Sequence, residues 1–319
     1  MAQRFTLNDG LNILVPALAA YREQMVEEKY PEIVFPQFVH VDNAGGTGLT
    51  DKIHFEVESS SDLDDGLVGD KTTSIDTVGV DFKDKRSPIV SWAKGIEYTL
   101  RELEICARLN IQVDTQKIRV LRQNADQTLQ KVAFLGHARD TRITGLLNSP
   151  LVVPVKALKG ATAAKAWAEM TGEEAAQALI DMFKIILDKT NLIAAPDTLA
   201  IPMTDFVDVA VKPRHTSGSD TSVLEYVREK LKAAAGKEVD IKGIPLKYAD
   251  TAGVGGKKRA LAYINSPQHV VFDVPVTPEM LDAQPKGLLA WQTGMRMDFG
   301  GVSFLEPQSA AYFDYAAVP

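Results

Sequence analysis

The chain has 319 residues, of which 45% are apolar and 24% charged, enough for one large domain or two medium ones. No apolar run approaches the roughly 20 residues of a membrane-spanning helix. A net charge of −7 and a pI near 5.4 argue against a dedicated nucleic-acid binder, although not against a protein that encloses DNA without gripping it.

Residues 1 to about 45 read as an extended arm with one amphipathic helix. Ile13, Leu14, Ala17, Leu18 and Tyr21 fall at helical spacing, and Pro31 and Pro36 then hold the chain extended. The aromatic-rich piece Phe35–Val41 has the character of a segment that packs along something rather than folding alone. Met1–Asp9 lacks a basic region followed by an apolar core, so no signal peptide is expected.

Residues 46–94 alternate. Ile53, Phe55 and Val57 interleave with His54, Glu56 and Glu58, and a second alternating run holds Val78, Val80 and Phe82. Between them lies an acidic, glycine-containing tip with Asp62, Asp64, Asp65 and Asp70. The pattern predicts a long β-hairpin, followed by the cations Lys83, Lys85 and Arg86. An isolated two-stranded hairpin is marginal in water, so these residues are expected to be stabilised against a neighbouring molecule. His54, alternating outward, is expected in solvent.

A short helix is expected at Tyr98–Leu109. It carries Cys106, the single cysteine, which excludes an intramolecular disulfide and reads as a buried reduced thiol in a chain that matures in a reducing cytosol. A long helix follows from Asp114 to Leu135, with Asp114 as N-cap, Gly136 as stop and an apolar stripe of Ile118, Leu121, Ala125, Leu129 and Val132. At about 22 residues it would span about 33 Å.

The pattern then becomes α/β. A helix starts at a Thr171/Glu174 capping box and points Ala176, Leu179, Ile180, Phe183 and Leu187 inward. A strand at Thr198–Ile201, a short helix near Asp205–Val211 and a helix from Ser222 to Gly236 follow. Further strands are expected at Val239–Ile241, Leu246–Tyr248, Ala260–Ile264 and Val270–Val274. Pro275–Pro285 reads as a linker, and Leu288–Phe299 with Val302–Leu305 as two strands turned at Gly300–Gly301.

Chemistry-bearing motifs are hard to assemble. None of the five histidines pairs at zinc-ligand spacing. The acidic tip counted from Asp62 has Gly66 at the fifth position and Thr73 at the twelfth, which fails an EF-hand. Gly253–Lys258 fails the phosphate-loop pattern at both ends and sits between two strands, so Lys257, Lys258 and Arg259 read as a mobile basic hairpin tip. There is no Gly-x-Ser-x-Gly elbow. No catalytic residue, cofactor or metal site is therefore expected, and the chain is not expected to be an enzyme.

The order of arm, long hairpin, long helix, α/β insertion and returning strands resembles the tailed-phage major capsid protein fold. This is the α+β fold of the Hong Kong 97 type, shared with encapsulins. Three local runs strengthen the resemblance: Val90–Tyr98, Gly136–Asn148, and the ending Gly300–Val302 with Pro307–Asp314. It implies an N-terminal arm at 1–45 and an extended loop at 46–94 lying over an adjacent subunit. It further implies a peripheral domain at 95–170 with a spine helix, an axial domain at 171–275, and a return to the peripheral domain at 276–319. The function implied is a capsid subunit assembled in the host cytoplasm into pentamers and hexamers around double-stranded DNA. Portal, scaffold and decoration proteins would be its other partners. The hairpin residues and the basic tip Lys257–Arg259 are the candidate contacts between subunits. An encapsulin compartment or, from another class, a soluble α/β enzyme centred on 171–275 are the alternatives.

Overall fold

The computed structural model describes residues 32–60, 77, 79–102, 104, 113–155, 167–215 and 221–315. The arm helix expected at Ile13–Tyr21, Cys106, and the acidic tip with Asp62, Asp64, Asp65 and Val78 lie outside the described residues.

The chain enters at Phe35–Gln37, a single 3-10 turn around Pro36, and continues into β1 (His40–Asp42). Phe35 and Phe38 are buried, the first edge-on to Phe272 at 5.7 Å and the second edge-on to Phe134 at 5.2 Å. The aromatic piece thus packs along the chain's own core. The strands β2 (Asp51–Ser60) and β3 (Gly79–Pro88) form a separate two-stranded ribbon, paired from Asp51↔Pro88 to Ser60↔Gly79.

β4 (Val90–Thr99) follows at once and pairs antiparallel with β12 (Ala290–Phe299) over its whole length. The expected helix at Tyr98 therefore starts later. Tyr98 and Thr99 complete the ladder opposite Trp291 and Ala290, and the helical turn opens at Leu100 with Thr99 Oγ1 accepting from the Glu102 amide at 3.3 Å. Aromatic and β-branched residues favour the strand here.

α1 (Val113–Leu135) matches the long helix, with Asp114, expected as its N-cap, already inside it. Leu121, Ala125, Leu129 and Val132 are buried as the stripe requires, while Ile118 is exposed. Gly136 ends it at φ +68°, with its amide donating to the Val132 carbonyl at 2.8 Å. A Cβ there would meet the Ile143 carbonyl oxygen at 2.3 Å. Gly136→Ala should therefore cost more than the roughly 1–3 kcal/mol of a strained left-handed residue, read as a lowered thermal midpoint.

Next come β5 (Pro154–Val155), α2 (Gly172–Lys189), β6 (Thr198–Pro202), α3 (Met203–Val211), α4 (Val223–Ala235), β7 (Asp240–Ile244) and β8 (Lys258–Tyr263). Both halves of the Thr171/Glu174 capping box form, and Gly236 closes α4 in the left-handed conformation. Leu246–Tyr248 is a turn, not a strand. Leu246 and Lys247 have φ of 55° and 56°, and the Tyr248 amide donates to the Pro245 carbonyl at 3.2 Å.

β9 (Val270–Asp273), β10 (Val276–Met280), β11 (Gln284–Pro285), β13 (Val302–Phe304) and β14 (Ala310–Tyr315) complete the described chain. The stretch Pro275–Pro285 is not a linker, since β10 and β11 both pair with β12. Its Pro278 falls where the register shifts between Val276 and Glu279, a place where a missing N–H does no harm. Nor do β12 and β13 form a hairpin. Gly300 and Gly301 carry the chain between sheets, the Gly300 amide donating to the Asp273 carbonyl at 2.8 Å and the Val302 amide to the Thr144 carbonyl at 2.7 Å.

A five-stranded sheet in the order β5-β14-β8-β6-β7 divides the body into two cores. Alternation along each strand does this. Leu199, Ile201, Ala260, Ala262, Ala311 and Phe313 face a cluster with α2 and α4, whereas Ala200, Leu261, Tyr263, Ala310 and Tyr312 face a cluster with α1, β9, β12 and β13.

Candidate assembly surface

Of the eight predicted hairpin contacts among the described residues, six lie on one face. Residues directly opposite in an antiparallel pair share a face. The register Ile53↔Arg86, Phe55↔Asp84, Val57↔Phe82 and Ser59↔Val80 thus puts Ile53, Phe55, Val57, Val80 and Phe82 together with Arg86. All five apolar residues are exposed, Phe55 and Phe82 at 70% each. Lys83 and Lys85 stand on the other face, where Lys85 pairs with Glu56 at 2.7 Å. Arg86 pairs with Asp84 at 3.3 Å.

Two phenyl rings left this open are unfavourable for a subunit alone in water, where full burial of each is worth about 1.5–3 kcal/mol. An apolar stripe that a chain does not cover itself marks an interaction site.

The basic tip behaves differently from the expectation. Only Lys257 is exposed. Lys258 belongs to β8 and donates to Asp205 Oδ1 at 2.8 Å. Arg259 is buried, held by Asp314 through Nε at 2.6 Å and Nη2 at 2.8 Å, and by the Leu147 carbonyl through Nη1 at 2.6 Å. Burial raises the Asp314 carboxyl, but the Arg259 hydrogen bonds, the Val254 amide and the nearby positive charge bring it below the usual range. Lys258 and Arg259 are thus internal ties, because each meets a carboxylate from another element.

Arg259 also explains the run Gly136–Asn148. The loop is tied to the sheet by Arg259 at Leu147, and the Tyr312 hydroxyl donates to the Leu146 carbonyl at 2.8 Å. Asn148 accepts from the Gly145 amide and donates to the Leu135 carbonyl, both at 2.6 Å, which satisfies an end of α1. Arg142 holds Asp140 at 2.8 Å, and its side-chain and backbone hydrogen bonds lower that carboxyl to about 2.

His54, expected in solvent, turns inward, with its Nε2 buried 4.0 Å from Asp273 Oδ2. Other exposed apolar residues escaped the sequence reading. Leu288 is 98% exposed in the connection between β11 and β12, as is its neighbour Leu289, and Trp291 on β12, Met280 on β10 and Leu281 just after β10 are exposed along the same sheet. Met203, Val207 and Val211 form an exposed stripe on α3. The latter has spacing i, i+4, i+8 and was legible in principle. Among the described residues no group of three or more His, Cys, Asp or Glu is placed to hold a metal ion.

Comparison with known proteins followed the same lines. A family model described as Major capsid protein matches residues 64–316. The capsid of Myoviridae phage XM1 superposes with a TM-score of 0.77 at 16% identity, covering 94% of this chain and 97% of that one. The capsid of a native GTA particle gives a TM-score of 0.60 at 13% identity, covering 98% and 100%. A virus-like particle from Pyrococcus furiosus gives 0.51 at 14% identity, covering 87% and 91%. A search of curated protein sequences found no match. At these identities structural likeness carries the fold, which is the Hong Kong 97-like capsid fold, and the family match spans most of the sequence. The chain belongs to the major capsid protein family, the shell subunits of phage heads.

Proposed function

We propose that this subunit assembles into pentamers and hexamers of an icosahedral phage head that encloses double-stranded DNA, and that it works by assembly rather than by catalysis. The observation that carries this reading is the apolar face of the hairpin, with Phe55 and Phe82 each 70% exposed on a ribbon that pairs with no other strand among the described residues.

In this reading residues 46–94 are the extended loop that lies over an adjacent subunit. The body around α1 and the β4–β12 ladder is the peripheral domain, and residues 171–275 are the axial domain around the symmetry axes. Ile53, Phe55, Val57, Val80 and Phe82 form the contact, and Lys257 is the one member of the basic tip available to a neighbour. Assembly takes place in the host cytoplasm, alongside portal, scaffold and decoration proteins.

Deleting residues 59–71 should leave a folded subunit that assembles poorly, because the deletion removes the tip and spares both cores. Circular dichroism reports the fold and electron microscopy the particles. Wild-type-like shells from the deletion would contradict this assignment.

A second reading, an encapsulin-type shell around protein cargo, draws on the likeness to the Pyrococcus furiosus particle. Co-purification of one specific cargo enzyme, with no DNA packaged, would favour it.

A further inference from the structure

The root of the hairpin carries a charged cluster that the apolar contact does not use. β1 and β9 run parallel in register, which sets Asp42 beside Asp273. Lys52 of β2 bridges them, its Nζ donating to Asp42 Oδ2 at 2.5 Å and to Asp273 Oδ1 at 2.8 Å. The Asp273 side chain has no exposed surface. Its other oxygen, Oδ2, has no hydrogen-bond partner among the described residues, and neither has His54 Nε2. Both atoms are buried and lie 4.0 Å apart.

Lys52 and His54 are two residues apart and so project from the same side of β2. Two buried, unpartnered polar atoms facing each other are rare in folded chains, and each such site calls for an explanation. The charge count supplies one. Two carboxylates face one ammonium, and a proton on His54 would balance the set and turn the gap into a charge-assisted hydrogen bond.

We propose that Lys52, His54, Asp42 and Asp273 form a proton-operated latch, in which protonation of His54 draws it onto Asp273 and stiffens the root of the hairpin against the core. Deprotonation leaves the root held by Lys52 and by the Ser87–Ser303 hydroxyl pair at 2.7 Å, and the hairpin swings more freely. The proposal rests on the reading of the hairpin as an arm that meets neighbouring subunits, since the latch would set the angle at which it is presented.

Other charges reach the same cleft. Lys85 is the cross-strand neighbour of His54 and is engaged by Glu56, and Arg86 and Arg142 line the cleft while paired with Asp84 and Asp140. These cations oppose a proton on His54, but each is paired with a carboxylate of its own, whereas Asp273 Oδ2 has no donor among the described residues. The signs set a window. The contact requires a proton on His54, so acidification favours it and a rise in pH removes it. Burial raises the Asp273 carboxyl, with the Lys52 hydrogen bond and charge opposing. The latch therefore fails at the acid end when Asp273 itself takes a proton, above the ordinary aspartate value near 3.9.

Hydrogen–deuterium exchange on the full-length protein, corrected for intrinsic rates and read from about pH 5.5 to about pH 8, tests the idea. Peptides covering 51–56 and 83–88 should gain protection of roughly tenfold on acidification, the equivalent of one pKa unit of coupling, while the β4–β12 ladder stays constant. His54→Gln should keep the neutral-pH protection and lose the pH response, and Lys52→Met should lose protection throughout. A His54→Gln protein whose root titrates like wild type, or a wild-type root indifferent to pH, would overturn the proposal. Exchange needs only a folded chain, so a His54→Gln protein that still forms shells but has lost the response separates the latch from the assembly reading.

Discussion

Replacing Phe55 and Phe82 together by serine is expected to leave the chain folded and to stop it closing into shells. Both rings are 70% exposed, so the isolated subunit loses little, within about 0.5 kcal/mol for a surface site. Assembly loses far more. If each ring is buried by a neighbour, its removal forfeits about 1.5–3 kcal/mol, so the pair forfeits about 3–6 kcal/mol per contact. At 1.4 kcal/mol per factor of ten, the concentration needed for assembly rises by at least about a hundredfold. Circular dichroism should superpose on wild type, while sedimentation at the concentration that gives wild-type particles should show only small species. Unchanged particles would mean that the hairpin face is not an interface.

The second large effect lies inside the subunit. Arg259→Met should destabilise the unassembled chain by about 3–5 kcal/mol, because it strands a buried carboxylate. Asp314 is 10% exposed at its side chain and would keep only the Val254 amide of its present hydrogen-bond partners. The Leu147 carbonyl would lose its donor as well, and the stacking of Arg259 on the Tyr312 ring, 4.3 Å from its centroid, would go. Chemical denaturation measures the loss. Replacing Asp314 by leucine in the same chain should recover much of it, since an apolar pair restores what a lone charge destroys. The sign with pH is fixed by the depressed Asp314 carboxyl. Its contribution is present above the ordinary aspartate range and fades as pH falls through the lowered value, so wild type and Arg259→Met should converge in acid.

Much of the architecture was legible because local rules and tertiary structure agree. The stripe of α1, the capping box at Thr171 and the glycine stops at Gly136 and Gly236 are short-range signals, and each appears where its chemistry requires. The hairpin was legible because alternation sets one face apart from the other. The misses share a cause, which is that pairing partners distant in sequence override local appearance. Tyr98 and Thr99 extend a strand only because β12 lies beside them nearly 200 residues later in the chain. Pro278 and Pro285 resemble linker residues until a bulge and a sheet edge accept them.

The same holds for the surface. Lys257, Lys258 and Arg259 are one basic run in sequence, yet Asp205 and Asp314 arrive from elsewhere to neutralise two of them. The Leu288–Leu289 projection went unread because an apolar pair next to Gly287 looks like the start of a strand. Its exposure depends on where β11 and β12 turn, which short-range pattern does not encode.

Electron microscopy of the recombinant full-length chain, backed by sedimentation, tests the central claim most directly. The account predicts closed icosahedral shells of megadalton mass, with density from one subunit's hairpin crossing its neighbour at Phe55 and Phe82. A monodisperse small oligomer at high concentration, with the hairpin face open to solvent, would contradict it.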